Sequence, residues 1–168
     1  MNRENINSAL LFIGLILLQI ILLNNINFLG YINPFFYIFF IFLYPIRKDD
    51  ELFLLLSFFL GLFIDIFSDS GGINAAATLF IAFIRIPVLQ SVIGKRDIDY
   101  GAETIFKLPF PKMFLYVVIL TFVHHFIVFG MEYFKWSKFD IILIKTILTS
   151  IFTIILTMIS FTFVMRKR

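Results

Sequence analysis

The chain has 168 residues, 61% hydrophobic and only 15% charged, with 25 Phe, no Cys and a formal net charge of +3. Its mean hydropathy is +1.00, and a soluble domain would carry about a quarter charged residues, so the composition excludes an ordinary water-soluble globule. The absence of Cys excludes disulfides, thiolate metal sites and a Cys nucleophile.

What remains is an all-α polytopic membrane bundle, a single membrane domain over 1–168. A membrane β-barrel alternates apolar and polar residues. Runs such as LLFIGLILLQIILL do not alternate, so helices that satisfy their own backbone are expected. Six apolar segments follow in order: 8–23, 33–46, 51–67, 73–93, 112–131 and 140–165. The first follows Arg3 but leads to no small-x-small cleavage site, and reads as a retained helix. In the second, Asn33 reads as an N-cap and Pro34 as the first helical residue. At the helical rise Pro34 to Ile46 covers only ~20 Å, so this segment either crosses with help from its linker or is partly re-entrant.

Basic residues orient the bundle. With six crossings and a cytoplasmic N-terminus, the inside holds Arg3, Arg47, Lys48, Lys95, Arg96, Lys107, Lys112, Arg166, Lys167 and Arg168. The outside holds Lys135 and Lys138, with Lys145 able to snorkel outward. The positive-inside rule places both termini in the cytoplasm. The longest polar linker, 94–112, mixes both charge signs and reads as a solvated loop or as a contact for anionic lipid or a cytoplasmic partner. Trp136, Tyr133, Tyr31, Tyr44 and Tyr116 fall near predicted span ends and read as interfacial anchors.

Helices in lipid associate through small residues and interhelical hydrogen bonds. Three stripes have the required spacing: Ser57, Gly61, Asp65 and Asp69; Ala75, Thr78, Ala82 and Arg85; and Thr146, Ser150, Thr153, Thr157 and Ser160. Between the first two, SDSGG forms a turn in which Gly71 and Gly72 permit tight reversal. Arg85 lies ~18 Å into its helix, where an unpaired charge costs several kcal/mol, so it is expected to face the bundle and pair. Asp65 is the natural partner, and Gln19 a further candidate. Such a pair reads as a clasp between helices or as a substrate or ion site. The lack of a second acid at that depth favours the clasp. His124 and His125 point about 100° apart on one helix and cannot jointly hold one ion. A metal would need i, i+4 spacing or ligands from elsewhere. One His is expected to bond across helices, the other to approach the outer interface, and a proton relay is the remaining alternative. Walker A, GxSxG, HExxH and GxGxxG are all absent from the sequence, so no catalytic residue, cofactor or nucleic-acid platform is expected.

Two stretches, NINFLGYINPFFYIFFIFLYP at 25–45 and SFFLGLFIDIFSDSGGINAAATLFIAFIRIPVL at 57–89, resemble the MreD family, the rod shape-determining membrane proteins of bacteria, in its Bacteroidetes-type branch. The family pattern is G-L-x-x-D closing one helix, a short turn, then G-[small/apolar]-x-A-A opening the next. Here it falls on Gly61, Leu62, Asp65, Gly72, Asn74, Ala75 and Ala76, with Arg85 beyond. The likeness covers most of 1–95; the remainder agrees in span number and character. It implies a fold similar to the substrate-binding subunits of energy-coupling-factor transporters and a non-enzymatic role in the cell-wall elongation complex of the bacterial cytoplasmic membrane. It also implies binding to an MreC-type membrane protein, and through it to the MreB filament, RodA and a penicillin-binding transpeptidase. The residues expected to serve as structure or partner surface are Gly61, Asp65, Asp69, Gly72, Asn74, Ala75, Ala82 and Arg85. A rival reading is a vitamin or small-molecule transporter subunit, which requires a polar, aromatic-lined pocket near the outer face and an Ala-rich docking surface on the cytoplasmic side, whereas the Ala-rich NAAAT at 74–78 falls at the outer end of its helix.

Overall fold

The computed structural model describes residues 3–26, 33–47, 50–94 and 105–166. Among them, five helices are long and apolar enough to cross a membrane: α1 (Arg3–Ile21), α3 (Glu51–Ser68), α4 (Ile73–Ile93), α5 (Phe110–Tyr133) and α6 (Phe139–Arg166), with the short α2 (Phe39–Leu43) between α1 and α3. No β-strand occurs among the described residues. Local chemistry sets the boundaries. The Asp50 carboxylate accepts the Phe53 N–H at 3.1 Å and caps α3, whose C-terminus closes on Asp69 in the left-handed region (φ 51°). Gly71 (φ 64°) and Gly72 (φ 92°) then complete the reversal, as only residues without a Cβ do at low cost.

The segment 33–46 departs from the expected helix begun by Asn33 and Pro34. Residues 33–35 are non-helical, Phe36–Ile38 form one 3-10 turn, and α2 has only five residues. The reason is reach. A short run covers more distance when part of its backbone is extended, since each extended residue advances about twice as far as a helical one. Its contacts fix its course. Near its start, Tyr37 meets Gln19 of α1, Asn74 of α4 and His124 of α5. Near its end, Phe42 packs on Tyr116 of α5 and Phe161 of α6, and Tyr44 packs on Phe53 at the start of α3. The segment thus runs antiparallel to α1 and α5, through the middle of the bundle, with Tyr37, Ile38 and Phe40 fully buried. Asn24, just past α1, bonds Ser68 at the end of α3, which places these two helix ends at one level.

Side chains sort by environment. Leu10, Ile13 and Leu17 on α1, and Ile147, Ile151 and Ile155 on α6, are exposed outward, while Thr78, Thr146, Thr153 and Thr157 are fully buried. This is the pattern expected where the surrounding solvent is hydrocarbon. The tightest seam joins α3 and α4. A Cβ on Gly61 would lie 2.5 Å from the Asn74 carbonyl oxygen and 2.6 Å from Ala75 Cα. Those are backbone atoms that cannot swing aside, whereas a Cβ on Gly14 would meet nothing within 4 Å. Gly61→Ala is therefore expected to lower stability by at least ~1–3 kcal/mol through overpacking. Gly14→Ala should stay within ~0.5 kcal/mol of the parent. Reversible unfolding in mixed micelles measures both.

Candidate functional site

The irregular segment sets the chemistry of the interior. Its non-helical N–H and C=O groups sit in the protein core, where an unmet backbone polar group costs several kcal/mol. Side chains from three other helices meet them. Gln19 of α1 donates to the Pro34 carbonyl at 2.9 Å and accepts from the Tyr37 N–H at 3.2 Å. Thr153 of α6 accepts from the Phe35 N–H at 3.2 Å. Arg85 of α4 donates to three carbonyls where α2 ends, Ile41 and Tyr44 at 3.3 Å each and Pro45 at 3.0 Å. Its guanidinium carbon also lies 3.4 Å from the centroid of the Phe53 ring, a cation–π contact.

Arg85 therefore has a different partner from the one expected. It faces the bundle and is buried, but its charge is met by main-chain carbonyls and an aromatic face, not by Asp65 or Gln19. Asp65 is consumed at the other end of α4. It accepts from the Asn74 and Ala75 N–H groups at 2.9 and 2.8 Å, from Asn74 Nδ2 at 3.0 Å and from the Ser70 hydroxyl at 2.5 Å. Gly72 offers α4 no side-chain cap, so the carboxylate of the preceding helix fills that place, where the helix dipole also favours a negative charge. The clasp between α3 and α4 exists, but it is an anion on a helix N-terminus and not an ion pair.

Asn74 extends the network inward. It accepts from the Tyr37 hydroxyl at 2.9 Å, and Tyr37 in turn lies 2.9 Å from His124 Nε2. His125 faces α6: its Nδ1–H donates to the Thr121 carbonyl at 2.6 Å, leaving Nε2 to accept from the Thr153 hydroxyl at 3.2 Å. Both imidazoles are fully buried, so neither reaches the outer interface as one was expected to. The ~100° offset between neighbours turns one ring toward the irregular segment and the other toward α6. Tyr37 is the residue sequence reading missed, and Thr153 was singled out only as part of the α6 stripe, not as a partner of this segment. The signal for both roles was a run too short to cross as a helix, which demands donors and acceptors from elsewhere.

The stripes divide in the same way. Ala75, Thr78, Ala82 and Arg85 are all buried. Thr146, Ser150, Thr153 and Thr157 are buried, while Ser160 is half-buried with its hydroxyl donating to the Leu156 carbonyl. Ser57, Gly61 and Asp65 share the inward face of α3, but Asp69 does not: the helix ends there, and the left-handed residue is exposed. Among the expected site residues, Gly61, Asp65, Asn74, Ala75, Ala82 and Arg85 are therefore internal contacts, with Asp69 and Gly72 in the turn. Tyr44 and Tyr116 are buried rather than interfacial, because one stacks beside Phe53 and the other against Phe42. Lys145 lies 5.0 Å from the Tyr133 ring near the end of α5. Tyr31, Lys48, Lys95, Arg96, Lys167, Arg168 and the Trp136 side chain lie outside the described residues.

At the Asp69 end of the bundle is a cavity of about 730 Å³, lined by Asn24, Asn33, Phe35, Phe67, Asp69, Asn74 and Glu132 among others. It is polar with two aromatic rings, and Asn74 connects it to the Tyr37–His124 pair beneath.

The separation of Asp65 from Arg85 is open to measurement. Asp65→Ala is expected to cost ~2 kcal/mol, the upper range for a lost cap. Arg85→Met should cost ~3 kcal/mol, since it strands three buried carbonyls. The double variant should be additive within ~0.5 kcal/mol; an ion pair would instead give a clear coupling energy in unfolding titrations. Compared with protein-family models, with curated proteins and with solved structures, the chain matches none of them.

Proposed function

We propose that the chain is a non-enzymatic membrane bundle of the rod shape-determining MreD type. It docks an MreC-type partner in the cytoplasmic membrane and through it links the MreB filament to RodA and a penicillin-binding transpeptidase. The observation that supports this reading is the fate of the intramembrane polar groups. Asp65 and Arg85 are spent on the backbone of neighbouring helices, so these charges hold helices together and are not poised on a substrate.

The irregular crossing counts as a sixth span. It brings the beginning of α1 and the end of α6 to one end of the bundle, the end that the positive-inside rule assigns to the cytoplasm. Because Gly61 and Ala82 are buried between helices, they serve the fold, and the partner helix meets the outward apolar faces. A small-molecule-binding subunit is the second reading, favoured by the polar, aromatic-lined cavity at the Asp69 end. A metabolite retained through purification would distinguish it.

Two outcomes are expected. Depleting the chain in its host rounds rod-shaped cells, and the full-length protein captures the MreC-type partner from membranes; rods of unchanged shape would overturn the reading. The native chain contains no Cys, so single-cysteine variants report topology without background. Asp69→Cys is labelled by a membrane-impermeant maleimide in intact cells, and Arg47→Cys only after permeabilisation.

A further inference from the structure

The cavity beside the α3–α4 turn has a chemistry that the scaffold role does not use. Its volume of about 730 Å³ falls within the ~300–1,000 Å³ typical of small-molecule sites. Two carboxylates line it, Asp69 and Glu132, and among its described lining residues there is no Lys, Arg or His. Both carboxylates are exposed, and neither is engaged in the helix-capping network that consumes Asp65. Two of the lining residues are held in place by internal contacts. Asn24 is fixed by hydrogen bonds to Gln19 at 2.9 Å and Ser68 at 3.0 Å. Phe35 is wedged edge-on against His125, with ring centroids 5.2 Å apart. Phe67 supplies a second aromatic ring.

Two carboxylates beside two aromatic rings suit a cation with organic character. An ammonium group gains from carboxylates and from ring faces together. A bare metal ion would need a denser ligand set, and among the described residues no three His, Cys, Asp or Glu side chains come together. We propose that this cavity is a binding site for an alkylammonium group, held between Asp69 and Glu132 with its carbon skeleton against Phe35 and Phe67. The same group is carried by a free amine and by the headgroup of phosphatidylethanolamine.

The test uses the full chain in nanodiscs of phosphatidylglycerol. Phenethylammonium should raise the unfolding midpoint saturably, whereas the uncharged isostere 2-phenylethanol should not. The double variant Asp69→Asn, Glu132→Gln should weaken the ammonium response about tenfold, the scale of two exposed ion pairs. Asn tolerates left-handed backbone, so the turn is preserved, and Glu132→Gln alone should move binding in the same direction. In parallel, lipid mass spectrometry of protein purified from native membranes compares parent and double variant. Enrichment of phosphatidylethanolamine that the double variant loses assigns the site to the lipid headgroup. A saturable amine response without that enrichment assigns it to a soluble amine. Equal responses to the amine and the alcohol, or a double variant that matches the parent in both assays, would overturn the proposal. None of these results bears on whether depletion rounds the cells, so the two readings fail separately.

Discussion

The constraint on which this bundle turns is the backbone of residues 33–47. A helix crosses lipid without help because each N–H finds a carbonyl in its own chain segment. This segment is helical over only a few residues, so its remaining polar groups must be met from outside. Gln19, Thr153 and Arg85 meet them from α1, α6 and α4. These three polar side chains sit where the irregular backbone has unmet groups. The burial of Gln19, Thr153 and Arg85 is thus tied to one segment being too short to be a helix throughout.

Around that segment, α3 and α4 pack backbone against backbone. Their closeness at Gly61 brings the Asp65 carboxylate within reach of the first amides of α4. The two features depend on each other. A side chain at Gly61 would move the α4 backbone away, and Asp65 would then lose the amides it caps. Asn74 carries the arrangement inward by joining that cap to Tyr37 and so to α5. The irregular segment and the α3–α4 hairpin therefore share one hydrogen-bonded interior.

Much of this was legible in the residues. Hydropathy alone located the five long helices, α4 at its observed ends, and the glycine turn before it, because each depends on neighbours close in sequence. The α4 stripe was legible as well, since a helical period repeats whichever surface it faces. The partner of Arg85 was not. Every residue carries a carbonyl, so a cation that binds main chain leaves no complementary letter to find, and the nearest acid in sequence attracts the assignment instead. Asp69 failed differently: its four-residue spacing is genuine, but the helix ends before the pattern does. The irregular shape of 33–46 was half visible, in a length that did not reach across, while Pro34 pointed the other way, to a helix start that the structure does not have.

Arg85 lies 40 to 44 positions beyond the carbonyls it holds, and Thr153 lies 118 beyond the Phe35 amide. A ribosome delivers the irregular stretch long before either anchor exists. During synthesis that stretch lacks its full set of hydrogen-bond partners until the last helix has been made. The last of these hydrogen bonds is thus supplied by the C-terminal helix, and a chain truncated before residue 153 leaves the Phe35 amide without this partner.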